Sequence, residues 1–466
     1  MSIVRIYAPS WGRLDDRKRL ARSFAEGDIV PPGRTALAYG QGRSYGDTCH
    51  NDDAVLLTTG QHQKIISFDT QTGILQAQAG AVLADILSSI GDSGWFLPVV
   101  PGTKFVTLGG AIANDIHGKN HQTRGTFGCH VKGFQLWRSD TGSLNCSRQE
   151  NAELFNTTIG GLGLTGVITH ANIQLMKVPS HFVQETRTPF ASLEQFFERD
   201  DQLHSGGAAE PEYSVAWVDS LAKGAGLGRG VMITANHIAH DSNPVYGQPR
   251  LKVPFTPPIP LVSGLPLRLF NQLYFHRNSR NSNPQTADPN TFFFPLDAIA
   301  GWNRLYGPLG LFQHQSIIPA QAAFKTIRLL IKTAQDAGQG SFLTVLKRFG
   351  QHRSPGLMSF PQPGYTLTLD FANRGQRTLA LLDDLDRITL DAGGRTNPYK
   401  DARMSAETFQ AGYPSWQKLE NLRDPLITSN FWKRTTTRRH VAPPPLQTPS
   451  VEVSVNQVAK RGRSPN

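Results

Sequence analysis

The chain has 466 residues, 39% hydrophobic and 18% charged, which suits a soluble globular protein of two or three domains rather than one core. The formal net charge is +11, but from Lys433 onward seven basic residues face only Glu452, so over half of it sits at the C-terminal end and argues against nucleic acid as a partner. Three cysteines, Cys49, Cys129 and Cys146, with no C-x-x-C, argue against a disulfide framework and a zinc site.

The first twenty residues lack a continuous apolar segment, so no signal peptide is expected, and no run of about 18 apolar residues is available to span a membrane. TALAYG and AVLLTT read as strands, and GILQAQAG alternates apolar and polar residues as a half-buried strand does. AVLADILSSIGDSG carries apolar residues at helical spacing (Val82, Leu83, Ile86, Leu87, Ile90) and stops at Gly91 and Gly94. WFLPVVPGT is a strand entering a Pro-Gly turn. LGGAIANDIHGKN begins on paired glycines, which suits a helix start approached closely by a ligand. NAELFNTTIGGLGLTGVITHANIQL reads as helix, Gly-rich turn and strand.

From about Pro179 the texture changes. EYSVAWVDS, GVMITANH, FLTVLKRFG and YTLTLDFA are strand-like, with helical patterns between them, as in an antiparallel sheet covered by helices. Residues 253–275 are apolar but broken by five prolines, so they are expected to form a buried irregular connection or a mobile lid over a greasy surface. The end of the chain, VAPPPLQTPSVEVSVNQVAKRGRSPN, is proline-rich and polar, and disorder is expected there. The basic residues around it are either simply solvated or attracted to anionic lipid or a phosphate-bearing substrate.

Three Gly-rich turns, Gly40–Gly46, Gly102–Gly110 and Gly160–Gly166, imply backbone segments converging on one extended anion, because amides without a nearby Cβ can reach a pyrophosphate. No G-x-x-x-x-G-K-[ST] is present, so a nucleotide triphosphatase is not supported. DIHGKNH gathers Asp115, His117, Lys119, Asn120 and His121 in a polar loop; Gly118 and the missing Glu argue against metal. Gln313 and Gln315 share one strand face by period 2. Lys347 sits in or just after an apolar strand, and Tyr399, Lys400, Asp401 and Arg403 cluster after a Gly-Gly pair.

GQGRSYGD, VPGTKFVTLGGAIANDIHGKNH and TIGGLGLTGVI together resemble the flavoprotein oxidases of the vanillyl-alcohol oxidase / p-cresol methylhydroxylase (PCMH) superfamily. The likeness continues through YSVAWVDS, FQHQSIIP, TVLKRFG and AETFQAGYP and spans roughly residues 30–425, the proline-rich segment excepted. The resemblance implies an α+β, two-domain flavoprotein: a PCMH-type FAD-binding domain over 1–181, an inserted antiparallel-sheet substrate domain over 182–393 with a mobile proline-rich segment at 253–284, a return to the FAD domain over 394–440, and a disordered tail at 441–466. It implies FAD contacts from Gly40, Gln41, Gly42, Arg43, Ser44, Tyr45, Gly46 and Asp47; from Pro101, Gly102, Thr107, Leu108, Gly109 and Gly110; and from Asn114, Asp115, Ile116, His117, Gly163 and Ile168. Arg43 stands where many relatives tether their flavin through a histidine, so the FAD is expected to be non-covalent.

By the same resemblance, Lys400, His117 and Tyr45 are candidate catalytic residues. Lys119, Gln313, Gln315, Lys347, Thr368 and Lys400 are expected to line the substrate pocket. Thr368 and Asn397 depart from the pattern of the most similar relatives, which carry Cys and Tyr there. The implied reaction is oxidation of a secondary alcohol on a polyprenyl-phosphate-linked pentose, the first half of a 2-epimerisation that supplies an arabinose donor for cell-wall or surface glycan. A separate short-chain ketoreductase would complete it. Oxidation of a soluble polyol or aldonolactone, and a non-catalytic flavin-bearing scaffold of a membrane glycan complex, stay open as alternatives. The expected location is cytoplasmic or peripheral at the membrane, with periplasmic as the alternative.

Overall fold

The computed structural model describes residues 2–436, except 28–30, 32, 206–209 and 281. The expected disordered tail lies outside the described residues. Three sheets organise the chain.

A four-stranded sheet holds Val4–Tyr7, Lys18–Ser23, Ala54–Thr58 and Thr35–Tyr39 in that order. Ala54–Thr58 pairs in parallel with a strand on each side, and its AVLL run is fully buried, as a strand covered on both faces requires. A five-stranded antiparallel sheet follows, with Val167–Gln174 between Ile74–Gln78 and Val131–Arg138. The helix Leu83–Ser89 packs into its core through Leu83, Ile86 and Leu87, the apolar positions spaced for one helical face. Helices Ala406–Gly412, Trp416–Leu422 and Asn430–Thr436 return to the first sheet: Phe409, Leu419, Phe431 and Trp432 share a core with Ala36, Leu37, Val55 and Leu56.

The third sheet has eight strands, all antiparallel, from Gln285–Ala287 at one edge to Arg395–Thr396 at the other. Its two faces differ by alternation along each strand. Ala216, Val218, Leu346, Leu367 and Leu369 meet the helices Leu193–Leu203, Ala320–Asp336 and Gln376–Asp391 in one core. The intervening residues Val215, Trp217, Gln313, Gln315, Val345, Lys347 and Thr368 line a cavity on the opposite side. Fold class is therefore α+β, with two domains meeting at that cavity.

Two sequence expectations need correction. Residues 264–279, within the proline-rich stretch, are an α-helix, Gly264–Ser279. Four of the five prolines precede it and Pro266 falls in its first turn, where a missing N–H and a fixed φ are tolerated. Lys433 and Arg434 belong to no solvated tail. They lie on the helix Asn430–Thr436, with Lys433 bonded to Asn51 and Asp53 and Arg434 to Asp47 and Asp401.

Candidate active site

The cavity holds about 460 Å³ of water-accessible space, within the range of cofactor sites. Backbone builds one end of it. Gly42 has φ +59°, and a Cβ there would lie 2.3 Å from the Pro9 carbonyl and the Tyr39 hydroxyl. Among the described residues, no backbone or side-chain acceptor takes the amides of Gln41, Gly42, Arg43 and Ser44, all of which line the cavity. Such a run of free amides around a left-handed glycine is an anion nest. Cβ atoms added at Gly102 or Gly163 would meet nothing within 4 Å, so these glycines keep cavity space open. These features fit the pyrophosphate and extended body of FAD. The helix Leu108–Ala113 contributes differently from the expectation. Its first three amides are spent on Ala81 O, Ala79 O and Thr107 Oγ1, so it offers surface, not a free anion site.

Side chains build the other end. Lys400 ends the turn Pro398–Lys400, capped by Asn397, and its ammonium lies 4.3 Å from the centre of the Tyr45 ring. The Tyr45 amide donates to Tyr399 O (3.1 Å), which ties the first Gly-rich turn to the turn carrying Lys400. Arg434 clamps the same two turns, donating to Asp47 Oδ1 (2.9 Å) and Asp401 Oδ2 (3.1 Å). From the sheet, Gln315 Nε2 lies 2.9 Å from His117 Nε2 and 3.1 Å from Thr366 Oγ1, while its Oε1 accepts from Asn397 Nδ2 at 2.8 Å. Lys347 Nζ lies 3.2 Å from His117 Nδ1 and donates to Gly118 O at 3.1 Å. Gln313 Nε2 donates to Asp370 Oδ1 at 2.5 Å, the cross-strand partner of Gln313 in the sheet.

Proton placement follows from these contacts. With Gln315 oriented to accept from Asn397, its amide donates to His117 Nε2, so the imidazole proton sits on Nδ1. Nδ1–H then donates to Lys347, which can accept only as a neutral amine. Burial and the charges of Lys119 and Lys400 push Lys347 down to about 7, where that neutral form is available. Burial, with Lys347 beside it, holds His117 well below the usual imidazole range. Burial brings Lys119 to about 8. Lys400 is lowered by burial while the Asp370 charge works to raise it, and burial raises Asp370 above the usual carboxylate range. The cavity therefore carries several amines held near the point of ionisation, against few carboxylates.

Most of the residues singled out in the sequence meet in this one cavity. Gly40 to Tyr45, Pro101, Gly102, Thr107, Gly109, Gly110, Asn114, Ile116, His117, Gly163 and Ile168 line it, with Lys119, Gln313, Gln315, Lys347, Thr368 and Lys400. Four stand elsewhere. Leu108 is buried in the core. Gly46 packs against the Asp401 carbonyl, which a Cβ would strike at 1.9 Å. The Asp47 carboxylate faces Arg434. Asp115 is buried, accepting from Gly128 N (2.7 Å), Ser354 (2.5 Å) and Ser359, and braces the loop instead of facing a ligand. Arg43 Nε donates to Phe105 O (3.1 Å), and its guanidinium sits 4.6 Å from the Trp11 ring centre.

Several lining residues carry no motif. Trp217 was legible by period 2, being in phase with Val215. So was Asp370, in phase with Thr368, although Asp370 does not line the cavity but holds Gln313. Trp11, Tyr274 and Trp302 come from segments that only the tertiary fold brings near.

A protein-family model for an FAD binding domain matches residues 32–147. The chain is 32% identical over 407 residues to decaprenylphosphoryl-beta-D-ribose oxidase of Mycolicibacterium smegmatis, covering 84% of this chain and 87% of that protein. It is 31% identical over 362 residues to an uncharacterized protein of the mprA 5' region of Streptomyces coelicolor, covering 74% and 96%. L-gulonolactone oxidase of Bos taurus matches 151 residues at 28% identity, 32% of this chain and 34% of that enzyme. An FAD-binding domain, a cavity lined by its Gly-rich turns and similarity along most of the chain agree: the protein is an FAD-dependent oxidoreductase belonging to the decaprenylphosphoryl-β-D-ribose oxidase family.

Proposed function

We propose that the protein oxidises a secondary alcohol of a lipid-linked pentose phosphate, as the name of its Mycolicibacterium relative implies, with non-covalently held FAD. The observation that carries this reading is the joining, in one cavity, of a backbone anion nest at Gln41–Ser44 with a lysine-rich end at Lys400, Lys347 and Lys119. Bound FAD supplies the two-electron acceptor for the substrate's C–H hydride. The nest and Gly102 would hold its pyrophosphate. Lys400 offers positive charge where negative charge develops at the reacting end. Gln313 and Gln315, fixed by Asp370 and Asn397, orient the sugar hydroxyls. Neutral Lys347 would accept the hydroxyl proton, giving up as it does so the hydrogen bond that its lone pair accepts from His117 Nδ1–H. Lys119 suits the substrate phosphate.

Non-covalent attachment is supported by Arg43, whose guanidinium is engaged with Phe105 and Trp11 at the place where a tethering histidine would stand. The oxidation would be the first half of a 2-epimerisation completed by a separate ketoreductase, serving a cell-wall or surface arabinose donor. Anaerobic mixing tests the reading. Flavin bleaching by a polyprenyl-phosphate pentose, with none by free polyols or aldonolactones, is the expected result. Bleaching by the free alcohols alone would overturn the substrate, and bleaching by no alcohol would overturn the activity. Acid precipitation should release the flavin; colour left on the denatured chain would overturn non-covalent binding.

A further inference from the structure

Exposed large apolar side chains are unevenly spread. Of the fifteen among the described residues, nine fall between Val245 and Leu273, including Phe255 at 66%, Ile259 at 64% and Leu273 at 71% exposure. Clusters of this kind mark contact surfaces. The same stretch is of one charge sign. Between Asp241 and Asp288 the sequence has no acid, while Arg250, Lys252, Arg268, Arg277 and Arg280 are all exposed.

The helix Gly264–Ser279 has two distinct faces. Its inner face buries Leu267, Asn271 and Asn278. Asn271 Nδ2 donates to Asp219 at 2.8 Å, and the Tyr274 ring meets Trp217 at 4.6 Å while lining the cavity. On the other side Leu265, Leu269 and Leu273 recur every four residues and so stack into one stripe. A helix on a water-facing surface keeps that side polar; this one sets three leucines there, beside His276 and Arg280, with Arg268 and Arg277 flanking them. At 16 residues it is too short to cross a bilayer, and no described helix is long and apolar enough to do so.

We infer that this helix, with the loop 251–261 before it, is an interfacial docking surface for a bilayer bearing anionic headgroups, the helix lying in the plane of the membrane. Apolar side chains with flanking cations are the chemistry of such surfaces. A second copy of the chain fits less well, because a two-fold contact would set the same cations against each other. The surface is also part of the cavity wall. Tyr274 lines the cavity from the helix, and Trp302 lines it just after Ile299–Ala300, the strand that pairs with Leu251–Lys252. Docking would therefore set the cavity beside the lipid phase. The inference goes beyond the proposed reaction and does not depend on it, since its test contains no substrate.

The test is cosedimentation of the full-length, FAD-loaded protein with vesicles of one part phosphatidylglycerol to three parts phosphatidylcholine, and with phosphatidylcholine alone. The protein should bind the anionic vesicles more tightly, and less so as salt rises. The triple variant Leu265→Gln/Leu269→Gln/Leu273→Gln should weaken binding tenfold or more, and Arg268→Gln/Arg280→Gln roughly fivefold per charge removed, both with normal flavin content and far-UV circular dichroism. Equal binding by wild type and triple variant would overturn the inference and assign any affinity to the basic C-terminal residues. So would a dimer seen by light scattering that the triple variant abolishes, or the absence of binding to anionic vesicles. If the triple variant loses its flavin, Leu269→Gln alone serves as the folded probe, expected to weaken binding severalfold; unchanged binding would overturn the inference.

Discussion

The two ends of the cavity are built from different materials. At the nucleotide end, glycines and free amides from one stretch of about a hundred residues shape the space. At the reacting end, side chains from three strands, one loop and one turn converge, and their spacing is fixed by sheet register and not by sequence distance. The nucleotide end can thus tolerate side-chain change wherever backbone shape is kept. The reacting end depends on each group having its partner.

That contrast can be broken from either side. The largest effect is expected at Lys400. Lys400→Met should keep FAD but slow substrate-driven flavin reduction by about a hundredfold or more, the scale of losing one preorganised charge; stopped-flow bleaching measures it. At the other end, Gly42→Val should lower FAD affinity roughly ten- to a hundredfold, since φ of +59° and the 2.3 Å approach to Pro9 and Tyr39 both oppose a Cβ. Flavin content after purification reads this, and full occupancy would show that the turn is no nest. Asp370→Asn should cost about tenfold or less in turnover. Without the buried carboxylate, less holds the proton on Lys400, so the alkaline limb of the rate profile should move to lower pH; an unmoved limb would disconnect the two.

A stability effect, spread over several pH units, comes last. Lys347 is held at about 7 in the fold, against an ordinary value of 10.5 in the unfolded chain. Below pH 7 both states bind the proton and the full penalty of the buried charge is present. Between pH 7 and 10.5 the unfolded chain binds more protons, so stability of the flavin-free protein should rise with pH, by at most about 1.4 kcal/mol per unit. Lys347→Met should flatten that slope in urea titrations.

The same contrast explains what the sequence disclosed. Glycine turns are local, so Gly40–Tyr45 and Gly102 could be placed beside a nucleotide without the fold. Strands of period 2 disclosed Gln313 and Gln315 as one face, and the resemblance placed Lys400 and His117. Asp370 sits in the same alternation as Thr368 yet drew no notice, because its role depends on pairing with Gln313 across the sheet. Asp47 shows the converse. It follows the glycine turn directly, but its carboxylate is claimed by Arg434, far along the chain. The helix Gly264–Ser279 was hidden by its prolines, which cluster before it and at its first turn, where they do no harm.

Arg434 has one more consequence, and it concerns time. Its bond to Asp47 spans 387 residues. On a ribosome adding about 5–20 residues per second, the first glycine turn waits on the order of twenty to eighty seconds for the residue that fastens it to Asp401. The nascent chain passes that interval with this latch open, and a chain cut short before Asn430 should hold its flavin less tightly.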